Sequence, residues 1–127
     1  MGALSMNVLI VESNPNLGML WKSHVERLGS KNVVLVGGLD SAVHEIMMHS
    51  WDVIVLNLVL DDGGAMAISD YASYRQPEAS ILIVNSSSFF SDGSIFKHIA
   101  NARACLPTSA KPEDLATMVV HYGQAEV

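Results

Sequence analysis

Several short apolar runs of this chain end in polar residues able to do chemistry. Glu12 and Ser13 follow Val8–Val11, Asn57 follows Val53–Leu56, Asn85 and Ser86 follow Ile81–Val84, and Pro107, Thr108 and Ser109 follow Ala104–Leu106. Together they offer one carboxylate, a set of hydroxyls and two amides. A carboxylate such as that of Glu12 can ligate a hard cation. An amide can neither act as an oxygen nucleophile nor bring a metal-binding charge, so Asn57 limits what the cluster can do.

The elements that position these residues follow from hydrophobic pattern. Val8–Val11, Val33–Val36, Val53–Leu56, Ile81–Val84 and Ala104–Leu106 read as five strands, the first four apolar without strict alternation, as in strands buried on both faces. Amphipathic stretches separate them. Asn14 can cap a first helix with Pro15 at its first position, and Leu17, Leu20, Trp21, His24, Val25 and Leu28 form its inner stripe before Gly29. Asp40 or Ser41 can cap a second helix carrying Ala42, Val43, Ile46 and Met47; a third runs from about Ala65 through Ile68 to Tyr74. A fourth follows Asp92, with Ile95, Phe96 and Ile99 inward. The fifth starts at Pro112, has Glu113 and Asp114 in its first turn, and buries Leu115, Met118, Val119 and Tyr122. This alternation predicts an α/β chain, a (βα)5 doubly wound five-stranded parallel sheet in a flavodoxin-like three-layer sandwich.

Composition narrows the function classes. At 127 residues the chain fits one domain, and a net charge of -6 opposes nucleic-acid phosphates. No apolar run approaches the roughly 20 residues of a membrane span, and Met1–Ser5 lacks the features of a secretory signal. Met6 is a possible alternative start. Cys105 is the single cysteine and, between Ala104 and Leu106, reads as a buried core thiol; a reducing, cytoplasmic compartment fits. His44 and His49 lie five apart and share no helix face, so they make no metal site.

In open parallel sheets functional groups gather beyond the carboxyl ends of the strands. Read in that order, Val8-Leu-Ile-Val-Glu-Ser13, Val53-Ile-Val-Leu-Asn-Leu-Val-Leu-Asp-Asp-Gly-Gly64, Ile81-Leu-Ile-Val-Asn-Ser86 and Ala104-Cys-Leu-Pro-Thr-Ser-Ala-Lys-Pro-Glu-Asp-Leu115 resemble the CheY-like response-regulator receiver family. The resemblance covers residues 6–122, with 1–5 as an N-terminal extension and 123–127 as a tail. It implies that Glu12 and Ser13 stand at the acidic, Mg²⁺-holding positions and Asn57 at that of the phospho-accepting aspartate. Asn85 stands where a Thr or Ser contacts the phosphoryl oxygens, with Ser86 a partial substitute. Thr108, followed by Ser109, replaces a lysine followed by proline, and Cys105 replaces the aromatic switch residue.

Each departure removes chemistry. Glu12 alone makes a weak Mg²⁺ site, Asn57 cannot attack a phosphoryl group, and Thr108 brings no positive charge to it. Glu12 beside Asn57 and Asn85 can instead form a hydrogen-bonded set in place of mutually repelling carboxylates. The resemblance thus implies a degenerate receiver: a stand-alone two-component or phosphorelay module, not an enzyme, working without aspartyl phosphorylation or a cofactor by protein–protein interaction. The expected partner is a histidine kinase or another regulator, with neither nucleic acid nor membrane involved. A homodimer through the fourth helix, fifth strand and fifth helix is also open, since Lys97, Arg103, Lys111 and Asp114 lie there, near Phe89 and Phe90; ordinary solvated charges explain the same residues. Two other readings remain. One is an active receiver phosphorylated on a substitute such as Asp61, Asp62 or a pocket serine; the other is a small flavodoxin-like cofactor binder, for which Glu12–Asn16 makes a poor phosphate loop. Asp61-Asp62-Gly63-Gly64 reads as a turn rather than a metal loop. Ser86–Ser88 reads as a mobile loop, with an anion cradle or phosphorylation site as the alternative.

Overall fold

The β-branched runs form strands and the amphipathic stretches cover them on both faces. A computed structural model describes residues 4–85 and 99–124. In chain order these form β1 (Leu4–Val11), α1 (Pro15–Arg27), β2 (Ser30–Val36), α2 (Leu39–Met48), β3 (Val53–Asn57), α3 (Ala65–Arg75), β4 (Ser80–Asn85), β5 (Ala102–Pro107) and α4 (Pro112–Gly123). The strands make one parallel sheet in the order β2-β1-β3-β4-β5, so the order reverses between β1 and β3. The helix expected after Asp92, apart from Ile99, lies outside the described residues, as do Ser86–Ser88, Phe89, Phe90 and Lys97. α4 is the helix expected to be fifth.

Alternation along each strand divides the core. Leu9, Val11, Ile54, Leu56, Ile81 and Ile83 face Ala42 and Ile46 of α2 and Ala65, Ile68 and Ala72 of α3. Val8, Ile10, Val53, Val55, Leu82 and Val84 face Trp21 and Val25 of α1 and Leu115, Ala116 and Val119 of α4. Burial on both sides explains why β3 and β4 read as unbroken apolar runs. Gly18 lets α1 approach this layer, since a Cβ there would stand 2.6 Å from a Leu35 methyl.

Four expectations change. β1 reaches back to Leu4, taking in two residues assigned to the extension. The inner stripe of α1 is narrower than drawn: Gly18, Trp21 and Val25 are buried, while Leu20 and Leu28 are 43% and 46% exposed. Cys105 is exposed rather than a core thiol. It lies on an edge strand paired only with β4, where an irregularity between Ile81 and Leu82 leaves Arg103 as an extra residue and resets which side chains turn inward. Partial burial still pushes its thiol pKa up, which keeps it in the unreactive protonated form. Finally, neither Asp40 nor Ser41 caps α2. The helix starts at Leu39 with Gly38 as its N-cap, and the side chain that serves its free N–H comes from the loop after β3.

Ser69 is buried in α3, and its hydroxyl has no hydrogen-bond partner among the described residues. Ser69→Ala is therefore expected to stabilise the fold by roughly 1 kcal/mol, by removing an unpaired buried polar group and improving helix propensity. The readout is a higher urea midpoint at unchanged slope. A lower midpoint would mean that the hydroxyl is paired in solution.

Candidate functional site

The reversal of strand order between β1 and β3 opens a crevice at their carboxyl ends, and the residues that follow β1 and end β3 line it. Glu12 and Asn57 are held there by the ladder itself: Val11 pairs with Leu56, and the Glu12 N–H donates to the Val36 carbonyl at 3.0 Å. Both are nearly fully buried, with 4% and 6% of their surface exposed. The Asn57 amide nitrogen donates to Glu12 Oε1 at 2.6 Å, and Asn57 Oδ1 accepts from the Val59 N–H at 2.9 Å. The other carboxylate oxygen, Glu12 Oε2, accepts from the Asn14 N–H at 2.9 Å. Asn14 in turn caps α1, its Oδ1 accepting from the Asn16 and Leu17 N–H groups at 3.0 and 3.3 Å. One buried carboxylate is thus joined directly to the end of β3 and to the start of α1.

Ser13 ties in the neighbouring loops. Its hydroxyl donates to the Gly37 carbonyl at 2.8 Å and accepts from the Asp61 N–H at 3.0 Å. Asp62 then joins two helix N-termini, where N–H groups are otherwise unpaired. Its Oδ2 accepts from the Leu39 N–H of α2 at 2.7 Å, and its Oδ1 from the N–H of Gly64, the N-cap of α3, at 2.9 Å. Glycine is required at position 38 for this approach, since a Cβ there would fall 2.5 Å from the carboxylate. These two bonds, that to Leu39 first, hold the Asp62 carboxyl below its ordinary range. The stitch is therefore present above the ordinary carboxylate pKa and is lost as pH falls through the depressed value. Gly63, at φ +70, closes the turn between them, as the Asp-Asp-Gly-Gly sequence leads one to expect.

The remaining candidates spread along the carboxyl edge. Asn85 is buried at the end of β4, one step beyond Val84, the partner of Asn57. It pairs in register with Pro107, which places half-buried Thr108 and exposed Ser109 in the turn after β5, one strand further from Asn57. Cys105 pairs with Ile83, short of the strand ends, and is exposed there. Ser86 lies outside the described residues. The crevice brings together Glu12, Ser13 and Asn57, with Asn85 at its flank.

No protein-family model and no curated protein matches the sequence. Solved structures do match its fold. A signal receiver domain from Vibrio parahaemolyticus superposes with a TM-score of 0.83 at 21% identity, over 95% of this chain and 92% of that one. A CheY-like response regulator receiver domain protein from Methanospirillum hungatei gives 0.83 at 18% identity, over 94% of each chain. This chain has the receiver fold. A Burkholderia pseudomallei response regulator with the same fold (TM-score 0.77, 20% identity, 96% of this chain and 75% of that one) holds a phosphorylated aspartic acid and a calcium ion.

In this receiver-fold chain the donor set does not suit a divalent cation. Both Glu12 oxygens accept hydrogen bonds, Asn57 turns its amide nitrogen towards them, and the Ser13 hydroxyl already serves two backbone groups. Among the described residues no group of three or more His, Cys, Asp or Glu could hold a metal ion. The role of Asp62 has no local signal in the sequence, because the carboxylate caps a helix more than twenty residues earlier; the Gly37-Gly38 pair before that helix is the one hint of a close approach.

Proposed function

We propose that this chain is a receiver-like signalling module that acts by binding another signalling protein and does not accept a phosphoryl group. One observation carries the reading: the side chain at the end of β3 is an amide whose nitrogen and oxygen are both engaged, the nitrogen to Glu12 at 2.6 Å and the oxygen to Val59 at 2.9 Å. Phosphoryl transfer needs an in-line anionic oxygen and neutralising positive charge around the transferring group. Asn57 offers no such oxygen, and Thr108 follows β5 where the resemblance puts a lysine. The fitting partner is a histidine kinase or another regulator, recognised through surface residues rather than through the crevice. None of the described helices is long and apolar enough to cross a membrane.

The test is amide NMR of the full chain with Mg²⁺ and either beryllofluoride or a small phosphodonor. The spectrum is expected to stay unchanged. Specific shifts around residues 85–109, or an acid-labile phosphate found by mass spectrometry, would overturn the proposal and favour a substitute acceptor such as Asp61.

A further inference from the structure

His24 stands half-buried in the last turn of α1, and the hydrogen bonds around its ring fix where its proton sits. Nδ1 lies 2.9 Å from the Leu20 carbonyl, which can only accept, so Nδ1 carries the hydrogen. Nε2 lies 3.5 Å from a guanidinium nitrogen of Arg27, which can only donate, so Nε2 offers its lone pair. An imidazole held in this way is neutral. Beside it, between α1 and α4, runs a groove of about 250 Å³, lined by His24, Arg27 and Leu28 on one wall and by Glu113, Ala116 and Thr117 on the other. Among the described residues the ion pairs are Lys22–Glu26 and Glu45–His49, so the Glu113 carboxylate forms none while Arg27 is turned to the ring.

We propose that His24 works a proton-operated latch between α1 and α4. Imidazole is the side chain whose charge ordinarily changes between about pH 5 and 8. A proton added at Nε2 turns that nitrogen from acceptor to donor and sets a second positive charge beside the guanidinium, so the bond to Arg27 is lost. The imidazolium keeps its bond to Leu20 and suits the carbonyl end of the helix. Arg27 is exposed, and the anionic group that shares its groove is Glu113. The released guanidinium crosses to that carboxylate and ties the last turn of α1 to the first turn of α4. The other charged groups on the packed elements leave this exchange open. On α1, Lys22 and Glu26 pair with each other at 2.9 Å. On α4, Asp114 and His121 do not line the groove, β1 has no titratable side chain, and β2 carries only Lys31. The exchange moves side chains and leaves Glu12 and Asn57 in place, so the latch works whether or not the chain accepts a phosphoryl group.

The test is NMR of the isotope-labelled full chain between about pH 8 and pH 5.5, a span in which an imidazole changes charge. At the upper end the His24 ring nitrogens should show hydrogen on Nδ1 and a bare Nε2. As the ring takes up its proton, the Arg27 guanidinium signals should shift with the same midpoint, and cross-peaks between the Arg27 and Glu113 methylenes, absent at the upper end, should appear. His24→Gln keeps a donor for Leu20 and an acceptor for Arg27 at every pH, so in that variant the Arg27 shift and the cross-peaks should both be lost. Glu113→Gln should leave the hydrogen on Nδ1 and lose the cross-peaks, which separates the ring's chemistry from the destination of the guanidinium. Hydrogen on Nε2 at the upper end, Arg27 signals that ignore the ring, or cross-peaks that persist unchanged in either variant would each overturn the proposal.

Discussion

Asn57→Asp is expected to destabilise the fold by about 2–4 kcal/mol at neutral pH, although it restores the residue that the resemblance implies at the end of β3. In the wild type the amide nitrogen donates to Glu12 at 2.6 Å; in the variant a carboxylate oxygen takes that place, and two buried anionic groups face each other. The crevice then has to release one charge. One of the two carboxyls is pushed above its unfolded pKa of about 4. A group whose folded pKa is raised stabilises fully below its unfolded value and loses that contribution as pH rises through the folded value. The deficit against the wild type is therefore smallest in acid and opens as pH climbs through the carboxylate range. Added Mg²⁺ should raise the Tm of the variant, since a cation relieves the repulsion and binds only the folded form, and should leave the wild-type Tm unmoved. A variant as stable as the wild type in metal-free buffer at pH 7 would show that the Glu12–Asn57 bond contributes little.

Gln76→Ala should cost about 2–4 kcal/mol from a position with no part in the crevice. Gln76 caps α3 at the opposite end of the sheet, and its side chain fastens three backbone groups of another segment. Its Oε1 accepts from the Trp51 N–H at 2.7 Å, and its Nε2 donates to the Ile46 and His49 carbonyls at 2.7 and 2.6 Å. Those carbonyls belong to the end of α2, where helical partners run out. Alanine leaves an N–H and two carbonyls in want of partners beside Trp51, which is 5% exposed. Gln76→Glu is the sharper variant. It keeps the acceptor but turns an anionic oxygen on two carbonyls, so at pH 7 it should be no more stable than Gln76→Ala and should recover part of the difference in acid, where protonation returns one donor. Urea midpoints of the two variants at pH 4 and pH 7 decide this; wild-type midpoints for both would show that water replaces the side chain without loss.

What could be read from the sequence and what could not divide along physical lines. Runs such as Val53–Leu56 and Ile81–Val84 declare buried parallel strands because both faces are covered, and Asn14-Pro15 declares the start of α1 through its own capping chemistry. Parallel order then brings the strand ends together, so Glu12 and Asn57 could be expected to meet. Interactions that reach across the chain had no such signal. Asp62 serves α2, Gln76 serves the end of α2 and the connection from α2 to β3, and the Asn101 side chain donates to the Ala79 carbonyl at 2.7 Å while accepting from the Ser73 hydroxyl, each linking segments whose proximity exists only after folding. Cys105 misled because its apolar neighbours suggested burial, whereas an edge strand with an irregular register turned it outward.

The bonds of Ser13 and Asp62 have a consequence for how information could pass through such a molecule. They join the loops after β1, β2 and β3 to one another, so an exchange of those loops between two arrangements would have to break several of these bonds together. A device with one arrangement cannot report an event by changing shape. On the proposed reading its message is its abundance: the occupancy of a partner follows mass action, so synthesis and degradation of the chain, rather than chemistry upon it, set the output.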